Sequence, residues 1–273
     1  MNSLKSETSM KKKGIGVFDS GLGGLTVVKE LMKELPLEQI IYLGDTARTP
    51  YGTKTKETII RFSIENATFL MKNDVKLIVV ACNTASALAL SSMKKIFNID
   101  VIGVIDAGAR AAVSATRNDR IGVIGTKATI GSGVYEHTIK KFLSKAKILQ
   151  QATPLLVPLV EEGWLDTRAT RMILEEYLKP FRKTGIDTLV LGCTHYPLLK
   201  PLIGKILPGV SIIDSAEEMA KETARLIEIK GLATPADKRN KSAFYVTDTP
   251  DTFNKVGKMF LKKDMIAAKK VSF

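Results

Sequence analysis

The chain has only two cysteines in 273 residues, Cys82 and Cys193, too few for a disulfide framework. They are far apart, so no Cys-x-x-Cys redox pair exists. A zinc site would need Cys82, Cys193, His137 and His195, without a familiar ligand spacing, so no metal is expected. Cofactor fingerprints are missing too. Gly21-x-Gly23-Gly24 follows an apolar run, but Thr26 stands where the third glycine of a dinucleotide turn belongs, and there is no Walker A pattern. No cofactor is expected. Long apolar runs are also absent. The longest uncharged stretch, Leu77 to Met93, is broken by Asn83, Thr84, Ser86, Ser91 and Ser92 and reads as strand, turn and helix. Lys11-Lys12-Lys13 precedes an apolar run that Asp19 cuts too short for a signal peptide. A soluble, cytoplasmic protein with no membrane partner is the expectation.

Acidic residues are in deficit, 28 against 41 basic, for a net charge of +13. The local clusters are Lys11-Lys12-Lys13, Lys262-Lys263 and Lys269-Lys270, and aromatic residues are not interleaved with them. A solvated lysine-rich surface is expected rather than a nucleic-acid groove. A nucleic-acid binder would instead show affinity falling steeply with salt. The basic field can also draw in small anions.

What the sequence does contain is a repeated strand-then-thiol pattern. Lys76-Leu77-Ile78-Val79-Val80-Ala81 leads into Cys82-Asn83-Thr84, and Thr188-Leu189-Val190-Leu191-Gly192 leads into Cys193-Thr194-His195. Further strands are expected at Ile15–Phe18, Ile40–Leu43, Val101–Ile105 and Ala243–Val246. Helices are expected between them: Leu25 to Leu35, about Thr55 to Lys72, Thr84 to Phe97, Ala216 to Lys230 and Thr252 to Leu261. This alternation predicts an α/β fold of mostly parallel sheets flanked by helices.

Ile121-Gly122-Val123-Ile124 echoes Ile15-Gly16-Val17-Phe18 at 121 − 15 = 106, the cysteines repeat at 193 − 82 = 111, and Ile213-Asp214 echoes Ile105-Asp106 at 213 − 105 = 108. Three matches in one order imply an internal duplication. The expected domains are 12–105 plus 215–273, a discontinuous first unit, and 106–214, with a polar N-terminal extension over 1–11.

Taken singly, each cysteine reads as an inert core thiol, Asp19 as a helix N-cap and His195 as a structural histidine. Together they read differently. Strand ends at the carboxyl edge of a parallel sheet are where ligands bind. Asp19 and Cys82 reach the same edge, and a carboxylate there can position a thiol or take its proton. His195 stands two residues after Cys193 and can accept its proton or, as imidazolium, stabilise its thiolate. The glycine turn offers backbone N–H groups to a carboxylate.

Four stretches carry a resemblance: Val17-Phe18-Asp19-Ser20-Gly21-Leu22-Gly23-Gly24, Asp45-Thr46-Ala47-Arg48-Thr49-Pro50-Tyr51-Gly52, Ala81-Cys82-Asn83-Thr84-Ala85-Ser86 and Gly192-Cys193-Thr194-His195-Tyr196-Pro197. In this order, over almost the whole chain, they resemble the glutamate racemases of the aspartate/glutamate racemase family. The resemblance implies two pseudo-symmetric α/β domains with the active site in the cleft between them, and D-glutamate made without a cofactor for bacterial peptidoglycan. Aspartate racemases tend to carry Cys-Thr-Glu where this chain has Cys193-Thr194-His195, which favours glutamate; another acidic amino acid is the alternative. The resemblance further implies that Cys82 takes the α-proton from D-glutamate and Cys193 from L-glutamate, assisted by Asp19, His195 and Glu161. Substrate contacts would come from Asp19, Ser20, Tyr51, Gly52, Asn83, Thr84, Thr126, Thr194 and His195. The oligomeric state stays open, a homodimer included.

The chemistry suits these groups. Racemisation removes a proton from one face of Cα and returns one to the other, and two fixed acid/base groups avoid any swing of substrate or base. A thiol with an ordinary pKa of about 8.5 is close enough to neutrality to be tuned to either role.

Overall fold

Short apolar runs ending in glycine or aspartate form the strands. β1 (Gly14–Asp19), β2 (Ile40–Gly44), β3 (Val75–Val80) and β7 (Thr188–Gly192) are buried at every position. That is why they read as continuous apolar stretches instead of alternating ones. The computed structural model describes residues 10–235, 241–261 and 267–273. The polar N-terminal stretch through residue 9 and the Lys262-Lys263 cluster lie outside the described residues.

The described residues form two sheets. With β4 (Asp100–Gly103), β9 (Ala243–Val246) and β10 (Lys269–Lys270), the first runs in the order β10-β9-β2-β1-β3-β4. With β5 (Arg120–Gly125), β6 (Lys147–Ala152) and β8 (Ser211–Asp214), the second runs β6-β5-β7-β8. Every neighbouring pair is parallel. The order β2-β1-β3-β4 is reproduced as β6-β5-β7-β8, so the duplication read from sequence is a duplication of topology. In each sheet the order reverses between the first and third strands, the place where parallel sheets bind ligands. Cys82 follows β3 and Cys193 follows β7.

The helices lie between strands as the alternation requires. α1 (Leu25–Glu34) buries Leu25, Val28 and Leu31, and α2 (Lys56–Met71) starts at Thr55, whose hydroxyl accepts the Thr58 N–H. Two expectations are corrected. The helix expected from Thr84 to Phe97 begins at Asn83 and is interrupted at Ala89, giving α3 (Asn83–Leu88) and α4 (Leu90–Ile96); the Ala89 N–H still bonds Ala85 and the Met93 N–H still bonds Ala89. The strand expected over Val101–Ile105 ends at Gly103, because Val104 and Ile105 open α5 (Val104–Ala115). A buried helix start is as apolar as a buried strand end, so hydrophobicity does not mark the change. The third repeat match therefore moves: β4 and β8 end at Gly103 and Asp214, at 214 − 103 = 111, the same offset as the cysteines.

α11 (Ser215–Ile229) starts where β8 ends and packs against α1 and α5. One apolar cluster consequently runs through both halves, from Val17 and Leu31 to Leu189, Met219 and Ile227. Between α5 and α11 the second half adds α6 (Lys127–Gly131), α7 (Val134–Phe142), α8 (Leu156–Glu161), α9 (Arg168–Thr184) and α10 (Lys200–Ile206), and α12 (Pro250–Leu261) follows β9. Among the described residues no helix is long and apolar enough to cross a membrane.

At the end of the first sheet remote from the thiols, Lys76 is buried completely, its Nζ 2.5 Å from Glu38. It also donates to the Leu232 carbonyl at 2.8 Å, while the Thr234 N–H donates to Glu38 at 2.8 Å. This pins the segment after α11 to the sheet. Burial pushes the Lys76 ammonium down from its ordinary range, and the Glu38 carboxylate opposes that. Lys76→Met strands a buried carboxylate and should cost about 3–5 kcal/mol, whereas adding Glu38→Leu should restore most of it. Urea unfolding midpoints of the single and double variants measure both.

Candidate active site

The two switch points face each other. Asp19, the last residue of β1, is fully buried, and its Oδ2 accepts the Gly21 N–H at 3.0 Å. Burial raises its pKa, and the nearby His195 charge with the Gly21 and Gly24 N–H groups pulls the other way. The glycine turn thus serves the carboxylate of Asp19 itself. Asp19 is not a helix N-cap; Gly24 holds that position on α1. Close approach explains the glycines: a Cβ on Gly23 would lie 2.3 Å from Oγ1 of Thr194, and one on Gly24 2.4 Å from Cβ of Asp19.

Cys82 occupies the N-cap position of α3 in extended conformation and donates its thiol proton to Oγ of Ser20 at 3.6 Å. Burial pushes this thiol up to about 12, and the negative charge of Asp19 adds to the effect. Asp19 acts on Cys82 through its field; the hydrogen bond of its Oδ1 goes across the cleft to the Thr194 hydroxyl, at 3.4 Å. Thr26 ties the same loop down by donating to the Thr194 carbonyl at 3.1 Å.

Cys193 has different company. Its Sγ is 3.7 Å from Nδ1 of His195, and Nε2 of His195 is 3.0 Å from Oε1 of Glu161. Burial works against a charge on His195, but the hydrogen bonds to Cys193 and Glu161 and their charges outweigh it, carrying the imidazole up to about 10. Phe260 of α12 packs edge-on against this ring, with centroids 5.9 Å apart.

Three hydroxyls close another side. Thr84 lies 2.9 Å from Thr126 and 3.1 Å from Thr129, and these two are 3.0 Å apart. Thr126 also caps α6 by accepting the Thr129 N–H. The Tyr51 hydroxyl is turned away: it donates to Asp45 and accepts from Asn66 at 3.0 Å, and Arg48 braces Asp45 from 2.8 Å. What the Tyr51–Gly52 turn brings close is backbone, since a Cβ on Gly52 would sit 2.7 Å from Cβ of Thr126.

Cys82, Cys193, Ser20, Tyr51, Gly52, Asn83, Thr84, Thr126, Thr194 and His195 all line one cavity, which has a volume of about 20 Å³. Asp19 and Glu161 do not line it; each stands behind a residue that does, Thr194 and His195 respectively. Thr49 also lines an outer pocket of about 260 Å³ that Glu161 and Asp248 border. A larger groove, about 510 Å³, lies between α5 and α11, contains neither thiol, and has its Arg110–Glu222 and Lys221–Glu218 charges paired. Among the described residues no group of three His, Cys, Asp or Glu side chains could hold a metal ion.

Sequence reasoning overlooked Thr129, Asp45 and Tyr135. Thr129 was accessible through its spacing of three from an N-cap threonine. Tyr135 gave no local signal.

The family model for Asp/Glu/Hydantoin racemase matches residues 22–223. A glutamate racemase from Neisseria meningitidis is 50% identical over 263 residues, 96% of this chain and 97% of that one. Among solved structures, a glutamate racemase isoform from Bacillus anthracis superposes with a TM-score of 0.92 at 41% identity, covering 96% of this chain and 98% of the other. The glutamate racemase from Francisella tularensis, solved in complex with D-glutamate, gives 0.91 at 41% identity, with the same coverage. The family match takes in both Cys82 and Cys193, and the chain belongs to the Asp/Glu/Hydantoin racemase family.

Proposed function

We propose that this protein interconverts L-glutamate and D-glutamate by proton transfer at Cα between Cys82 and Cys193, supplying D-glutamate for peptidoglycan. The observation that carries the reading is two free, buried thiols at equivalent strand ends lining one cavity. Relatives of about half-identical sequence named glutamate racemase support the substrate.

With L-glutamate bound, the thiolate of Cys193 takes the Cα proton, the C–H electron pair moves into the α-carboxylate, and the Cys82 thiol delivers its proton to the opposite face. The reverse reaction exchanges the roles. An imidazolium 3.7 Å from Cys193 is the counter-charge a thiolate needs, and a protonated Cys82 is what burial favours. These surroundings suit Cys193 as the base and Cys82 as the acid for L-glutamate. Glu161 holds the imidazolium, and Asp19 positions Thr194. The hydroxyls of Thr84 and Thr126 and the Tyr51–Gly52 backbone surround the carboxylates and stabilise the charge that develops on the substrate. Every step uses side chains and backbone of this chain.

Cys82→Ser and Cys193→Ser should each lower racemisation by at least about 10²-fold, because serine supplies no thiolate. Circular dichroism with both enantiomers measures it, and near wild-type turnover in either variant would sink the two-thiol assignment.

His195→Asn should slow L-glutamate turnover more than D-glutamate turnover in kcat, while the ratio of the two kcat/KM values stays at the equilibrium constant. Primary deuterium isotope effects with each α-deuterated enantiomer test it; equal changes in both directions count against the pairing.

His195 also predicts a pH dependence of stability. Its folded pKa of about 10 lies above the ordinary 6.5, so its contribution is complete below about 6.5 and disappears as pH rises through about 10. Urea midpoints of the wild type should fall over that window, and those of His195→Asn should fall less.

A further inference from the structure

Asn83 follows Cys82 directly, and its amide is not free to turn. Nδ2 of Asn83 donates to the Tyr135 hydroxyl at 2.8 Å, that hydroxyl lies 3.2 Å from Oγ of Ser215, and Ser215 donates to the Leu191 carbonyl at 3.2 Å. Tyr135 comes from α7, Ser215 opens α11, and Leu191 stands two residues before Cys193. The relay therefore links the loop of one thiol to the strand of the other. Asn83, Tyr135 and Ser215 are all buried. Room for the relay comes from two glycines: a Cβ on Gly108 would lie 2.9 Å from Oγ of Ser215, and one on Gly192 3.1 Å from Cε2 of Tyr135.

The direction of the relay follows from its last member. A carbonyl only accepts, so the Ser215 proton points at Leu191. Ser215 must then accept from Tyr135, whose proton is thereby committed. The Tyr135 oxygen can only accept from Asn83, and the partner it needs is an N–H. Burial pushes the phenol up to about 12, so it keeps that proton at neutral pH.

The geometry points to Tyr135 as a positioning residue for the proposed reaction: through Ser215 it locks the Asn83 amide with Nδ2 outward, leaving its carbonyl oxygen and one N–H for the amino-acid substrate. This inference rests on the racemase reading and adds to it the orientation of one binding group. An acceptor oxygen in that place suits the α-ammonium group. Because the ammonium is present in substrate and transition state alike, loss of the lock weakens binding more than it slows the chemical step.

The test is Tyr135→Phe, which keeps the ring and removes only the hydroxyl. KM for both enantiomers should rise roughly five- to tenfold, with kcat changing less than threefold, the size expected when one hydrogen bond loses its orientation. Ser215→Ala should give the same rise, since a Tyr135 proton without Ser215 turns to the Asn83 oxygen and flips the amide. The double variant should be no worse than Tyr135→Phe alone. A purely structural role would lower the melting temperature of Tyr135→Phe and leave KM within twofold of wild type, and that result overturns the inference. Multiplied effects in the double variant overturn it as well. If Tyr135→Phe does not fold, Ser215→Ala carries the same KM criterion. Wild-type protein is assayed alongside; if it does not racemise glutamate the racemase reading fails, and calorimetric D-glutamate affinity is compared instead, an unchanged value in Tyr135→Phe overturning the inference.

Discussion

Exclusion of water at the seam between the two sheets is the constraint on which everything else in the site depends. Ionisable groups at that seam lose solvation, and each keeps or loses its charge according to its neighbours. Asp19 and Cys82 are both pushed toward their protonated forms by burial. His195, equally buried, is held as a cation because Glu161 and Cys193 stand on its two nitrogens. The same desolvation that quiets one thiol therefore sharpens the electrostatics around the other.

The duplication supplies symmetry in backbone only. Both sheets have one strand order and both thiols follow the third strand of their unit, so the two sulfurs face one cavity. The side chains around them differ: a hydroxyl and a carboxylate field on the Cys82 side, an imidazolium backed by a carboxylate on the Cys193 side. A reaction whose equilibrium lies near unity does not require matched groups, only that forward and reverse barriers share the same highest point.

Much of this was legible beforehand, for definite reasons. Fully buried parallel strands leave unbroken apolar runs, so β1, β2, β3 and β7 could be read, and Ser20, Cys82 and Cys193, which come just after three of them, line one cavity. The repeat was visible because both thiols end such runs. Edges defined by conformation were harder. Val104 and Ile105 are as apolar as the strand before them yet already helical, and β10, two lysines long, has no pattern to read. Partners fixed only by three-dimensional proximity were hidden altogether. Nothing near Asp45 in sequence shows that it holds the Tyr51 hydroxyl away from the cavity, and nothing around Tyr135 indicates Asn83.

A cavity of about 20 Å³ has room for about one water molecule, far less than glutamate occupies. As it stands, the space is not one through which an amino acid passes. Entry of a substrate of that size therefore asks residues that line the cavity, Thr194 and His195 among them, to give way.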